Sequence, residues 1–365
     1  MRKISLSVIL WRLFFFLPLF FIRYIPVPTD NRYLGIYPWA NFDGDHYLAI
    51  AMHGYDASVA RFLPFYPLLI KFFSPSFSKI PNPEYVFVIG LLISNFAFLI
   101  ACLIMYKLLR IDYREKISFL SVFFLILFPS SFFFVSIYSE SVFLLLTVLT
   151  LYFARKKKWL FAVIVASFLP VTRPIGIAIL PALCVEWVLQ QKEKNRPSLR
   201  TLISFVTIPI GLIGYAIFNF FKWGNLFYFA QAHAELSNGR STGIVLIPQT
   251  LFRYWKMITT VPFNQHIWQV ALLELVVFIF AAVLLYIGYI KKVRASYLIF
   301  ALISFLIPTS SGTFTGLPRY VLVLFPIFLA LALIKNARVK IMYVVVSIIL
   351  SVILLMLFAR GYYIA

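Results

Sequence analysis

Apolar runs of about 20 residues, broken by short polar stretches, recur along the whole chain. A helix needs about 20 apolar residues to cross the hydrocarbon core of a bilayer. On that measure the pattern predicts about eleven membrane-spanning helices, over residues 4–25, 85–109, 117–136, 139–154, 159–172, 174–190, 199–221, 268–290, 295–309, 318–334 and 340–358. The spans at 139–154, 159–172 and 174–190 are short, so their borders are loose. The first run opens with Met1-Arg2-Lys3 and has no small-residue cleavage site, so it reads as a retained helix rather than a removed signal peptide. The expected fold is an all-α polytopic membrane protein, a single membrane-embedded domain over residues 1–365. No repeat of fixed period and no inverted symmetry stands out.

Composition agrees. Hydrophobic residues make up 62% of the 365 residues and charged residues 12%, against about 25% charged in soluble domains. The formal charge of +21 does not form a nucleic-acid face. Its basic residues gather between the apolar runs: Arg2-Lys3, 107–116, Arg155 to Lys158, 192–200, Lys291 to Arg294, and 335–340. An excess of Lys and Arg in short loops marks the cytoplasmic side. The N-terminus is therefore expected in the cytoplasm and the last residues, from Arg360, outside. Two long loops, 26–84 and 222–267, fall on the extracytoplasmic side, and loops of that length are commonly functional. Cys102 and Cys184 lie inside apolar runs and form no motif.

Only twelve residues are acidic, so each is informative. Asp43 and Asp45 sit in Asn41-Phe42-Asp43-Gly44-Asp45-His46-Tyr47, within a predicted helix from Asp43 to His53, with Asn41 as N-cap and Gly54 as stop. Asp43, His46, Ile50 and His53 then share one face. Asp43 reads as a general base whose proton affinity is raised by partial desolvation. The alternative is that Asp43 and Asp45 merely offset the positive end of that helix. Pro64 and Pro67 disfavour an unbroken helix through Arg61 to Leu69.

Three further polar groups stand at predicted outer helix ends. Glu140, in Tyr138-Ser139-Glu140-Ser141, either lines a polar site between helices or serves a helix start that Ser139 caps. Arg173, in Thr172-Arg173-Pro174, and Arg319, in Pro318-Arg319-Tyr320, are candidates for a lipid phosphate. The alternatives are snorkelling or pairing with a carboxylate. His233, Glu235, Arg240 and His266 in the second long loop show no informative spacing, and neither zinc spacing nor a phosphate-cradling Gly loop occurs.

Taken in order, these segments resemble the mannosyltransferase family that adds the second mannose in glycosylphosphatidylinositol anchor assembly, with its prokaryotic relatives. That family lies within the glycosyltransferase C (GT-C) superfamily. The resemblance runs from Trp39 to Phe328 and is strongest in Phe42 to Tyr55 and Tyr138 to Gly176. It implies a GT-C type fold and inverting transfer from a polyprenyl- or dolichyl-phosphate sugar, commonly mannose, at the outer leaflet or lumen. It implies Asp43 as the base, although the family's usual Trp-Asp is Phe42-Asp43 here. Asp45, His46 and Glu140 would support the acceptor, and Arg173 and Arg319 would receive the donor phosphate. The scheme requires no metal. The expected partners are membrane lipids, the lipid-linked donor and a glycan or glycolipid acceptor. The chain is shorter than eukaryotic members and shows no ER-retention tail, which points to a prokaryotic plasma membrane. The competing readings are a transporter or lipid flippase, and an assembly subunit.

Overall fold

A computed structural model describes residues 1–26, 38–74, 82–193, 196–236, 241 and 243–364. Residues 27–37 and 75–81 of the first predicted loop lie outside the described residues, as do Arg240 and the side chains of His233 and Glu235 in the second. Among the described residues every regular element is helical. The α-helices are α1 (Arg2–Phe14), α2 (Phe16–Leu19), α3 (Asp43–His53), α4 (Phe65–Phe73), α5 (Pro83–Leu109), α6 (Glu115–Ile126), α7 (Glu140–Arg155), α8 (Trp159–Ala166) and α9 (Ile179–Gln191). They continue with α10 (Leu199–Ser204), α11 (Ile210–Trp223), α12 (Tyr228–Leu236), α13 (Ile247–Thr260), α14 (His266–Ile290), α15 (Ala295–Thr309), α16 (Leu317–Leu322), α17 (Phe325–Leu333) and α18 (Ala337–Ala359).

Six stretches among the described residues are long and apolar enough to cross a membrane: Arg2–Tyr24, Pro83–Leu109, Pro174–Gln191, Leu199–Trp223, His266–Ile290 and Ala337–Ala359. The protein is thus an all-helical, multi-pass membrane protein, with six such spans rather than the eleven expected. The other five predicted spans are shorter or broken. Residues 117–136 divide into α6, a turn and the 3-10 helix Ser131–Phe134, and 318–334 divide into α16 and α17. Burial accounts for the breaks in 117–136 and 318–334. Every residue from Phe325 to Ala332 is buried, as is most of α7. A helix enclosed by others can break, because its neighbours satisfy the freed backbone groups. The long helices do meet lipid-like surroundings, exposing Tyr85 and Phe96 on α5 and Tyr286 and Tyr289 on α14. α5, the longest at 27 residues, carries strong start signals: the Asn82 side chain accepts from Glu84 N, and Pro83 occupies the first position.

The described part of the first long loop is not a surface loop. α3 and α4 pack against each other and against α5. Tyr66 Oη sits 2.7 Å from Ser94 Oγ and donates to Gly90 O at 3.3 Å. These contacts lie about two to three turns inside the Pro83 end of α5. Pro67 is tolerated because it falls in the first turn of α4, where no N–H is needed.

α7 has Glu140 at one end and Arg155 at the other, about 22 Å apart along the axis. Each end holds a separate cluster of charges. At the Arg155 end, segments expected in the cytoplasm meet. The fully buried Glu186 accepts from Arg294 Nε at 2.7 Å and Nη2 at 2.6 Å, Ser296 Oγ at 2.7 Å and Gln190 Nε2 at 2.6 Å. Arg155 pairs with Asp112 and approaches Glu186 to 3.5 Å. Removing the central carboxylate leaves the Arg294 guanidinium without a counter-charge and Arg155 with Asp112 alone. Glu186→Ala is expected to cost about 3 kcal/mol and to lower the thermal unfolding temperature in detergent. Glu193→Gln, which breaks only the exposed pair with Lys157, is expected to leave it unchanged.

Candidate active site

Asp43 is placed by a tight passage of backbone. Ile137 N donates to Trp39 O at 2.9 Å, and Tyr138 Oη donates to Asn41 O at 2.7 Å. Phe42, not Asn41, is the N-cap of α3, with φ 60° and ψ −116°. That conformation is strained for any residue with a Cβ. Asn41 uses its amide elsewhere, donating to Phe358 O at 2.8 Å at the end of α18. The Phe42 ring packs on Phe358 and Tyr363, with centroids 5.9 and 5.7 Å away. Gly44 lies so close to Ile137 O that a Cβ would approach it to 3.3 Å. The helix stops at Gly54, as expected, with φ 83°.

Four of the six predicted site residues form one row of alternating charge. Arg319 Nη1 donates to Asp43 Oδ2 at 2.6 Å, and Arg319 Nε donates to Glu140 Oε1 at 2.8 Å. Arg173 Nη1 approaches the same Glu140 oxygen to 2.5 Å, at an angle that leaves that nitrogen without a hydrogen-bond partner. Glu140 Oε2 is likewise buried without one. Aromatic faces enclose the cations: Arg319 Cζ lies 4.6 Å from the Tyr138 centroid, and Arg173 Cζ lies 4.9 Å from that of Tyr320. Both arginines are therefore paired with carboxylates. Ser139 stands at the N-cap of α7, as expected, but makes no side-chain capping bond; its Oγ accepts from Tyr47 Oη at 3.3 Å.

Two local devices present the arginines. Arg173 is extended, at the end of a turn in which Thr172 N and Arg173 N both bond Leu169 O, and Gly176 N bonds Arg173 O. Gly176 has no room for a side chain, since a Cβ would lie 2.3 Å from Leu169 O. Arg319 follows Gly316, the left-handed N-cap of α16. Gly316 N donates to Glu274 Oε1 at 3.1 Å, while Tyr254 Oη donates to Glu274 Oε2 at 2.5 Å and accepts from Phe314 N at 3.0 Å. The buried Glu274 thus ties α13, in the second long loop, to the turn that carries Arg319. The sequence reading missed this carboxylate, although an acid within an apolar run of α14 is itself a signal.

The remaining predicted residues lie outside the row. His46 stacks on Phe62 at 4.9 Å, and Asp45 is half-buried in the first turn of α3. His53 is exposed at the end of α3. His266, at the start of α14, has Nε2 2.6 Å from Tyr363 O. Burial tends to raise the Asp43 carboxyl, but the charge and hydrogen bond of Arg319, helped by Arg61 and His46, outweigh it and hold the group below its ordinary range. The raised proton affinity expected for Asp43 is therefore not found while Arg319 is paired with it. Burial pushes Asp45 up to about 6. Burial also holds His46 below its ordinary value, with Arg61 adding to the effect and Asp43 and Asp56 opposing it. Among the described residues no group of three His, Cys, Asp or Glu side chains gathers as a metal site.

Residues 29–208 match the family model described as mannosyltransferase (PIG-V). The match includes Asp43, Glu140 and Arg173, and Arg319 lies beyond it. No curated protein matches the chain. Among solved structures, the chain is similar to the oligosaccharyltransferase of Archaeoglobus fulgidus in the apo form, with 13% identity and a TM-score of 0.48, over 93% of this chain and 54% of that one. The same enzyme tethered with an acceptor peptide gives 13% identity and 0.45, over 93% and 53%. This chain therefore spans about half the length of that enzyme.

Two outcomes follow from the geometry of α3. Phe42→Gly and Phe42→Ala both remove the ring, but only glycine adopts the positive φ without strain. The glycine variant is expected to be the more stable by about 1 kcal/mol in thermal unfolding. Asp45 binds its proton more tightly in the folded chain, so folding stability falls as pH rises from its unfolded value toward about 6. Asp45→Asn is expected to raise the unfolding temperature at pH 7.5, and the gain should vanish below about pH 4, where both side chains are neutral.

Proposed function

We propose that this chain, a member of the PIG-V mannosyltransferase family through residues 29–208, transfers a mannosyl group with inversion from a polyprenyl-phosphate sugar to an outer-face acceptor. The acceptor is a hydroxyl of a lipid-linked glycan or a related glycolipid, and the fold is of GT-C type. The observation that carries this reading is the row Asp43–Arg319–Glu140–Arg173, which brings an ionised carboxylate and two guanidiniums together from distant segments.

In the proposed reaction Arg319 and Arg173 hold the donor phosphate and stabilise the charge that grows on it as it leaves. Glu140 accepts from one guanidinium and pairs with the other, fixing their spacing before substrate arrives. Asp43 takes the proton of the acceptor hydroxyl as that oxygen bonds the anomeric carbon. The bond from that carbon to the phosphate oxygen breaks on the opposite face, so a single displacement inverts the centre. Asp45 and His46, which follow Asp43 in the first turn of α3, contact the acceptor. The basic loops at the far end of α7 support a cytoplasmic N-terminus and an extracytoplasmic site.

Asp43→Asn is expected to lower mannose transfer from polyprenyl-phosphate-mannose by about a hundredfold or more in reconstituted membranes, with unchanged folding. Full activity in that variant would remove Asp43 as the base. Labelled substrate crossing vesicles with no new glycosidic bond would mean a transporter. With Arg319 present, the acid limb of kcat/KM should lie below the ordinary carboxylate range. In Arg319→Gln the desolvation of Asp43 is no longer opposed by that cation, so the residual activity should lose its acid limb at higher pH than the parent.

A further inference from the structure

Arg12 is a cation within an apolar, span-length stretch, and the proposed reaction does not use it. It lies on α1 in the run Arg2–Tyr24. One side of that run, Ile4, Val8, Trp11 and Phe15, is buried, and α1 packs against α5 and α6. Leu13, Phe16 and Phe20 are exposed to the surroundings of the helix. Arg12 stands at the seam between these surfaces. Its guanidinium turns along the helix, so that Cζ lies 4.9 Å from the ring centroid of Phe16, one turn on. The same carbon lies 4.3 Å from the centroid of Trp39, in the turn that leads to Asp43. Nη1 is fully buried and has no hydrogen-bond partner. Among the described residues no carboxylate pairs with Arg12.

A snorkelling arginine keeps its donors wet. This one instead buries a donor between two aromatic rings, and those rings answer the charge but accept none of its hydrogen bonds. A cation at such a place calls for an anion. The anion must come with a hydrocarbon tail, because the open flank of the Arg2–Tyr24 run is lined by Leu13, Phe16 and Phe20 rather than by polar groups. A phosphate oxygen suits the planar fork of guanidinium donors. We propose that Arg12, Phe16 and Trp39 form a binding site for the phosphate group of a membrane lipid, which enters sideways from the bilayer along the exposed flank of α1. The site is separate from Arg173 and Arg319 and does not depend on the proposed transfer reaction. Through Trp39 it is continuous with the strained turn before Asp43, so a bound lipid would brace that turn.

The test uses the full chain purified in a neutral detergent, with native mass spectrometry and thermal unfolding as readouts. The probes are phosphatidic acid, a polyprenyl phosphate, phosphatidylcholine and inorganic phosphate. The parent is expected to retain one phosphate-bearing lipid and to unfold at a higher temperature with it. Arg12→Gln should bind that lipid at least tenfold more weakly, and Arg12→Lys should recover only part of the loss. Without lipid, Arg12→Gln should unfold at the same temperature as the parent or higher, because it removes a cation whose donor is unsatisfied. Tighter binding of the polyprenyl phosphate would assign the site to a lipid carrier. Equal or tighter binding of phosphatidic acid would assign it to a bilayer phospholipid. The proposal is overturned if Arg12→Gln retains either lipid as well as the parent does. It is overturned equally if that variant is strongly destabilised without lipid, or if inorganic phosphate binds as well as the lipids.

Discussion

The architecture around the candidate site depends on one buried carboxylate. Glu140 has no exposure, and it holds Arg173 and Arg319, whose side chains are themselves 7% and 12% exposed. With Asp43 at the far side of Arg319, the row contains two positive and two negative groups and sums to zero. Neutrality alone does not offset the cost of drawing such groups out of water; close contacts between the charges are also needed. Much of the local backbone serves to supply them. The Leu169–Gly176 turn sets Arg173, the loop anchored on Glu274 sets Arg319, and the strained passage at Phe42 sets Asp43.

The same requirement explains the division of labour among the helices. Long helices such as α5, α14 and α18 meet the apolar surroundings and must satisfy their own backbone along their whole length. Enclosed helices are free of that demand. α16 and α17 are short and buried along most of their length, and the chain breaks where a side chain of the row has to be delivered at an angle. The break before Pro174 exposes Arg173 to the row, and the break at Gly316 aims α16 and its Arg319. At the opposite end of α7, Glu186 gathers Arg155, Arg294 and Ser296 into a second cluster whose work is to hold helix ends together.

The helical class was legible because apolar runs leave little room for another fold, and four charges of the row were legible because polar groups are rare in such a chain. Asp43, Glu140, Arg173 and Arg319 each stood out at a helix end. Their partnership was not legible, since it depends on which ends meet. Glu186 and Glu274 were passed over because they lie within runs read only for hydropathy, and Arg12 for the same reason. The span count exceeded the number of long helices because hydropathy does not separate a residue facing lipid from one facing another helix. The N-cap shift from Asn41 to Phe42 was beyond reach. Asn41 is a good cap by type, but here its amide nitrogen donates to the α18 carbonyls.

The depressed proton affinity of Asp43 looks unsuited to a base until the charges of the proposed reaction are followed. A donor phosphodiester brings one negative charge into a neutral row. It competes with Asp43 for Arg319, and each step of that guanidinium toward the phosphate weakens the influence holding the Asp43 carboxyl down, leaving burial to raise it. As the sugar departs, the phosphate becomes a monoester and gains a second charge. The proton released by the acceptor neutralises Asp43 at the same time, so the total charge of the site does not change. New charge appears beside Arg319 and Arg173 while old charge disappears from the other side of Arg319. In a poorly screened interior that compensation matters more than the intrinsic strength of the base, because uncompensated charge there would cost several kcal/mol. Within the proposed reaction, the pairing of Asp43 with Arg319 is a resting state that donor binding releases, and Asp43 gains its proton affinity only when a leaving group is in place.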